Sequence, residues 1–292
     1  MKNNMPTNTN VQESTLYKKT VTVRFFPDSH RYMVNGKPKT GVTTLIGIMD
    51  KSRPLVIWAT GLAEDHMLEL LESGKGITSK DIYEACGLHE VRKQQAADIG
   101  TEIHNWAELY IRYKLKEAGA TMPEMPEKKE VQIGAMAFLD WEKCHKVRFV
   151  STERVVYSKK HDYIGKMDIE AIVDGELVLV DLKSSNGLYN SVCMQTAGYV
   201  KADEEESGRD YKGRWAIRLS KETESEYLEK WAKKNAKRES LGKDPIDVPP
   251  YQVFEAKYLD EGGSNIDRDY KAFLSAMHLF NWNKLTDFFS NR

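Results

Sequence analysis

The chain has 292 residues, 40% of them hydrophobic and 30% charged, with a formal net charge of −1. That length can bury one large core, or a core with an insertion, and the balanced charge requires any nucleic-acid surface to be local. Three scattered cysteines without a CxxC pair speak against a zinc ribbon, a disulfide framework and a cysteine-ligated cluster. No apolar run approaches the roughly 18–20 residues that span a bilayer, and the polar amino terminus lacks a signal-peptide core. A soluble, cytoplasmic protein without a membrane partner is expected.

In chain order, residues 1–18 are polar, rich in Asn and Thr, and expected to form a disordered tail. Residues 19–292 are expected to form a single domain, with a helical insertion over about 54–145 and a core over about 146–292. Residues 20–26 and 30–34 alternate as two strands, followed by an Asn35-Gly36 turn. Thr43 or Thr44 suits the cap of a short helix whose free N–H groups would favour an anion, although a strand pair covering a core edge is the preferred account of this segment. From 54 to 113 the periodicity is helical, broken at 73–76 and capped again at 78–81. Gly100 marks a joint between two helices or a point within one long helix. Residues 131–145 form an amphipathic helix burying Ile133, Met136, Ala137, Phe138 and Trp141. Strand character follows at 148–158, 215–219 and 252–257, with helices at 191–202, 222–237 and 267–289. The expected fold class is therefore α/β: a central mixed β-sheet flanked by helices, with an amino-terminal helical elaboration.

Residues 165–183 carry the chemistry. They read as two strands joined by Asp174-Gly175, the residues that favour the two positive-φ positions of a type I′ turn. With a two-residue loop, Val173 faces Glu176, and counting outward brings Asp168 opposite Asp181. Cross-strand neighbours place their Cβ atoms about 4.5–5.5 Å apart. Two carboxylates at that separation repel, and a divalent cation between them reverses the sign of the interaction. Lys183 shares the face of Asp181 by alternation, which outlines a metal-dependent hydrolase site. Gln195 and Tyr199 lie four residues apart on one helical face.

The order Gly165-x-x-Asp168, then Asp181-Leu182-Lys183, resembles the PD-(D/E)XK nuclease superfamily. Gly100-Thr101-Glu102-Ile103-His104 upstream and Gln195-x-x-x-Tyr199 downstream are similar to its RecB-like, phage-type exonuclease branch, as are residues 28–32 and 41–44. Lambda exonuclease and the mitochondrial genome maintenance exonuclease are more distant relatives of that kind. The resemblance implies a restriction-endonuclease-like core that binds one or two Mg²⁺ or Mn²⁺ ions through His104, Asp168, Asp181 and the Leu182 backbone carbonyl. It further implies that Lys183 acts on the attacking water or the phosphorane, oriented by Gln195 and Tyr199. An imidazole ligand makes Mn²⁺ the better-suited ion. The implied function is a DNA exonuclease acting in phage or bacterial recombination, repair or replication, on a single strand or a duplex end, with a single-strand annealing protein as a candidate partner. The alternatives are a restriction-type endonuclease and a non-catalytic DNA-binding partner. Relatives carrying an iron–sulfur cluster use four cysteines that bracket the core; Cys86 has no such partners near the carboxyl end, so no cluster is expected.

Other residues keep two readings. Glu108 is a support for the metal ligands or a salt-bridge partner, and Glu153 reaches the metal or is an edge-strand charge. Gln195 and Tyr199 belong to the site or only to the core. Ser184 and Ser185 contact phosphate or form plain loop. Arg214, Arg218, Lys212 and the basic helix at 230–238 are candidate phosphate contacts. Trp58, Trp106 and Tyr110 are candidate base-stacking residues, although such spacing is more often core.

Overall fold

In the computed structural model, residues 11–74, 76–261 and 265–285 are described. Four short strands come first: β1 (Gln12–Leu16), β2 (Val21–Phe26), β3 (Arg31–Val34) and β4 (Lys37–Lys39), a purely antiparallel sheet in that order. β1 falls within the stretch expected to be a disordered tail. Its register against β2, from Gln12↔Phe25 to Leu16↔Val21, buries Leu16 beside Val21 and Val23. The short polar strand has no apolar alternation to announce it, which is why it reads as tail. Residues 1–10 lie outside the described residues.

A short helix α1 (Val42–Ile46) follows, with Gly41 rather than either threonine at its amino-terminal cap. The helical elaboration comprises α2 (Ser52–Glu72), α3 (Ser79–Lys114) and α4 (Lys129–Cys144). Thr78 and Asp81 form a reciprocal capping box that starts α3, and α3 then runs unbroken for 36 residues. Gly100 is a point of contact on it and not a joint: a Cβ there would lie 2.4 Å from Ser184 Oγ. Within α4, Ala137, Phe138 and Trp141 are buried as expected, whereas Met136 is 51% exposed and points away from the core.

The second sheet is the central one. Its strands are β5 (Val147–Ser158), β6 (Tyr163–Val173), β7 (Glu176–Lys183), β8 (Gly213–Leu219) and β9 (Phe254–Tyr258), in that spatial order. Only β7 and β8 pair in parallel. Parallel neighbours cannot be joined by a tight turn, and α5 (Ser191–Ser207) makes the crossover. α6 (Glu224–Ser240) lies between β8 and β9 in sequence, and α7 (Asn265–Leu285) ends the described chain; residues 286–289 of the expected last helix lie outside it. The apolar run of β7 is covered on both faces, as a central strand requires. Val178, Val180 and Leu182 pack with Ile103, Phe138 and Trp141 of α3 and α4. Leu179 packs with Tyr199 and Val200 of α5 and Phe273 of α7. The protein is thus an α/β structure with a mixed sheet flanked by helices, and no described helix is long and apolar enough to cross a membrane.

Arg214 corrects an expectation. A phosphate-contacting arginine must be exposed, but Arg214 is fully buried at the start of β8. Its guanidinium donates to both oxygens of Asp260 at 2.9 and 2.7 Å, to Asp269 at 2.8 Å and to the Cys193 carbonyl at 2.7 Å. It thereby ties β8 to α5 and α7. Burial works against its charge, and the two carboxylates more than offset this, holding its pKa above the usual value. Removing one member of a buried ion cluster strands the others. Arg214→Ala should therefore lower stability by about 3–5 kcal/mol, read as a fall in the urea midpoint, whereas Arg218→Ala should change it far less.

Candidate active site at the end of the central sheet

The turn between β6 and β7 has the expected form, with Asp174 at φ 52° and Gly175 at φ 97°. The pairing starts at Val173↔Glu176 and continues without a bulge to Ile169↔Val180. That is one step short of Asp168 and Asp181. There the ladder gives way: the Asp168 carboxylate accepts a hydrogen bond from the Leu182 N–H at 2.9 Å.

A change of face explains what happens at this point. Ile169, Ala171 and Val173 belong to the apolar cluster under α3 and α4, while Tyr163 and Met167, of the same parity, belong to the cluster with α5 and α7. The alternation of β6 therefore switches side at Asp168. The opposing strand β5 is in register on either side, at Thr152↔Ile169 and Arg154↔Met167. Between those pairs lies Glu153, with φ 52°, a backbone conformation that costs a non-glycine residue on the order of 1–3 kcal/mol. The kink turns Glu153 and Asp168 toward α3, where His104 faces them.

Ligand-competent atoms of His104, Glu153 and Asp168 all lie within 4.8 Å of one another. His104 Nδ1 is 3.7 Å from Asp168 Oδ2, and the ring also hydrogen-bonds the Leu182 backbone. Asp181, almost wholly buried, ion-pairs with Lys183 at 2.5 Å. Glu153 ion-pairs with Lys166. Three carboxylates thus face two ammonium groups, an excess of negative charge in a desolvated place. Burial pushes Asp181 up to about 6 against the pull of Lys183, and the charge of Asp168 adds to the rise. Burial likewise raises Asp168, and burial followed by the charge of Asp168 raises Glu153. Burial and then Lys183 lower the pKa of His104, which leaves its imidazole neutral with a free lone pair. Burial opposes the Lys183 charge, yet Asp181 and Asp168 hold it above the usual lysine range.

The remaining predicted residues sort clearly. Gln195 Nε2 donates to Tyr199 Oη at 3.0 Å and lies 3.5 Å from Thr43 Oγ1, and Thr43 also hydrogen-bonds Tyr199. None of these three bonds Lys183 among the described residues, so they orient one another and not the ammonium. The Tyr199 ring lies on Gly165, where a Cβ would sit 2.3 Å from Tyr199 Cε1. That contact accounts for the glycine three residues before Asp168. Ser184 packs on Gly100, Ser185 Oγ bonds the Gly187 carbonyl at 2.8 Å, and Thr44 is exposed on α1. Glu108 pairs with Arg112 at 2.8 Å and still contributes to the rise of the Glu153 pKa. Arg218 sits beside Lys183 in the parallel register and pairs with Glu255 at 3.2 Å. Lys212 pairs with Asp210. Trp106 and Tyr110 are buried and stacked on each other, so they are core.

Sequence reasoning left Glu153 undecided and did not foresee the part played by Thr43. A strand residue at positive φ leaves no mark in composition, and Thr43 meets Tyr199 only through the tertiary packing of α1 on α5. Compared with known protein families and with curated proteins, the chain matches none.

Asn tolerates the left-handed conformation far better than Glu and removes one of three crowded carboxylates. Glu153→Asn should therefore raise the melting temperature of the metal-free protein by a few degrees, equivalent to about 1 kcal/mol, as scanning calorimetry would show.

Proposed function

We propose that this protein is a metal-dependent deoxyribonuclease, an exonuclease of the PD-(D/E)XK type. The convergence of His104, Glu153 and Asp168 within 4.8 Å, beside the Asp181–Lys183 pair, carries the reading. The donor set fits a divalent ion: one buried and two half-buried carboxylates in excess over their cations, one neutral imidazole, and the Leu182 carbonyl within hydrogen-bond reach of that imidazole. His104, Asp168 and that carbonyl would hold the ion, with Glu153 or Asp181 completing the shell. A bound Mg²⁺ or Mn²⁺ supplies Lewis acidity toward a phosphoryl oxygen and lowers the pKa of a bound water.

The chain's own groups do the rest. Lys183, kept protonated by Asp181 and Asp168, places positive charge where the phosphorane oxygens develop negative charge. Asp181 fixes the ammonium through their ion pair. Tyr199, buried against Gly165, together with half-buried Gln195 and exposed Thr43 would form a surface against which the substrate backbone rests. The preference for an exonuclease over a restriction-type endonuclease rests on the resemblance of the histidine-first, Gln-Tyr-last order to the RecB-like branch. A DNA-binding protein without catalysis, such as a loader for a single-strand annealing protein, would not need the lysine and both acids intact.

Asp181→Ala and Lys183→Ala should each reduce cleavage of linear DNA on the order of 10²–10³-fold while circular dichroism stays native; undiminished cleavage in either would refute the assignment. Mn²⁺ should raise the melting temperature of the wild type by mass action, and EDTA or Asp168→Ala should cancel that rise. Linear single strands and duplexes should be degraded while closed circular duplex survives; nicking of the circle would reassign the protein as an endonuclease.

A further inference from the structure

Beyond the metal site, the chain has a groove of about 640 Å³ that opens two residues past Lys183, at Ser185. One wall is α3, through Arg92 and Gln95, and the other is α6, through Tyr227, Trp231 and Lys234. The walls are braced from outside, because Lys237 of α6 ion-pairs with Glu64 at 2.9 Å and Asp65 at 2.5 Å on α2, which packs along α3. Tyr227 lies against both Trp231 and Tyr251, with ring centroids 6.2 and 5.6 Å apart and planes tilted by 60° and 55°, so the groove carries three aromatic rings.

The charge of the groove is uneven. Arg218 is neutralised by Glu255 and Lys230 is 3.5 Å from Glu222. Arg92, Lys221 and Lys234 have no ion-pair partner among the described residues, against one unpaired acid, Glu130. Lys221 is half-buried, and burial together with neighbouring Lys230 pushes its pKa down. A half-buried ammonium without a carboxylate partner among the described residues favours an anion beside it. Lys234 Nζ sits 4.2 Å over the Trp231 ring, covering a face suited to a stacked base.

We infer that this groove holds a single-stranded DNA segment leading to or from the metal site, with a base stacked on Trp231 and phosphates at Lys221 and Lys234. Flat aromatic faces combined with unpaired cations are what unpaired nucleotides bind, since every base has a π-face and each nucleotide one phosphate. A duplex hides its base faces and gains nothing from Trp231. The inference deepens the nuclease reading and rests on it for the placement of the strand.

The test is anisotropy binding of a fluorescein-labelled oligo-dT of about 12 nucleotides, in EDTA so that no cutting occurs, with a blunt duplex and an oligo-U strand as competitors. Trp231→Ala should weaken oligo-dT binding about tenfold, and Trp231→Phe should restore most of it. Lys221→Gln with Lys234→Gln should lower the salt slope of log K by about 1.4. Trp231→Ala binding as tightly as wild type, or losing duplex binding equally, would overturn the inference, as would oligo-U displacing oligo-dT at lower concentration than unlabelled oligo-dT. Cleavage with Mn²⁺ on the same proteins separates the two readings. Wild type that binds the strand through Trp231 yet never cuts leaves the groove standing and removes the nuclease. Wild type that cuts, with Trp231→Ala binding unchanged, does the reverse.

Discussion

Glu153, Asp168 and Asp181 come together at the end of the central sheet with, among the described residues, two ammonium groups to balance them, those of Lys166 and Lys183. Buried like charges are costly unless each finds a partner, and the local structure is arranged to bring these close. β6 changes face at Asp168, β5 holds Glu153 at positive φ, and Asp168 gives up a regular ladder position to accept the Leu182 N–H. The positive φ of Glu153 costs stability on its own, as does the crowding of like charges. Together these features build a compact anionic pocket beside a neutral imidazole, which a divalent cation would stabilise.

The surrounding helices are placed by close contacts that two glycines allow. Gly100 lets α3 lie against Ser184 and so brings His104, one turn on, over the carboxylates. Gly165 lets the Tyr199 ring lie flat on β6, which seats α5 and, through Tyr199, connects Gln195 and Thr43. α5 is also the crossover required by the parallel β7–β8 pair. The same helix therefore satisfies the topology and supplies polar side chains to the site. The buried Arg214 cluster fixes the far side of that helix to β8 and α7.

A net charge of −1 spreads no attraction for DNA over the whole surface. The basic character of the protein is local: Arg92, Lys221 and Lys234, without ion-pair partners among the described residues, line a groove that opens two residues past Lys183. Mixed charge along α6 conceals this in the linear chain, because its acidic residues include Glu226, which caps its own helix and pairs with Lys129. Fold then separates the charges that composition averages.

Much of the architecture was legible in the chain because short-range rules govern it. Asp174-Gly175 specifies a type I′ turn, and that turn sets the register of β6 on β7. Thr78 with Asp81 starts α3, and the apolar run of β7 announces a central strand. The same rules placed Asp168, Asp181 and Lys183 together. Short β1 escaped because five residues with little alternation carry no periodic signal, and Met136 was misplaced because helical periodicity does not say where the buried stripe ends. Arg214 looked like a surface cation until Asp260 and Asp269, both more than 45 residues away, enclosed it. The sequence by itself determined the hairpin, its register and the residue types at its end, since these depend on neighbours in the chain. Which carboxylates face His104, which arginine is buried and where the basic groove opens were decided only by tertiary structure, because each depends on side chains brought together from distant elements.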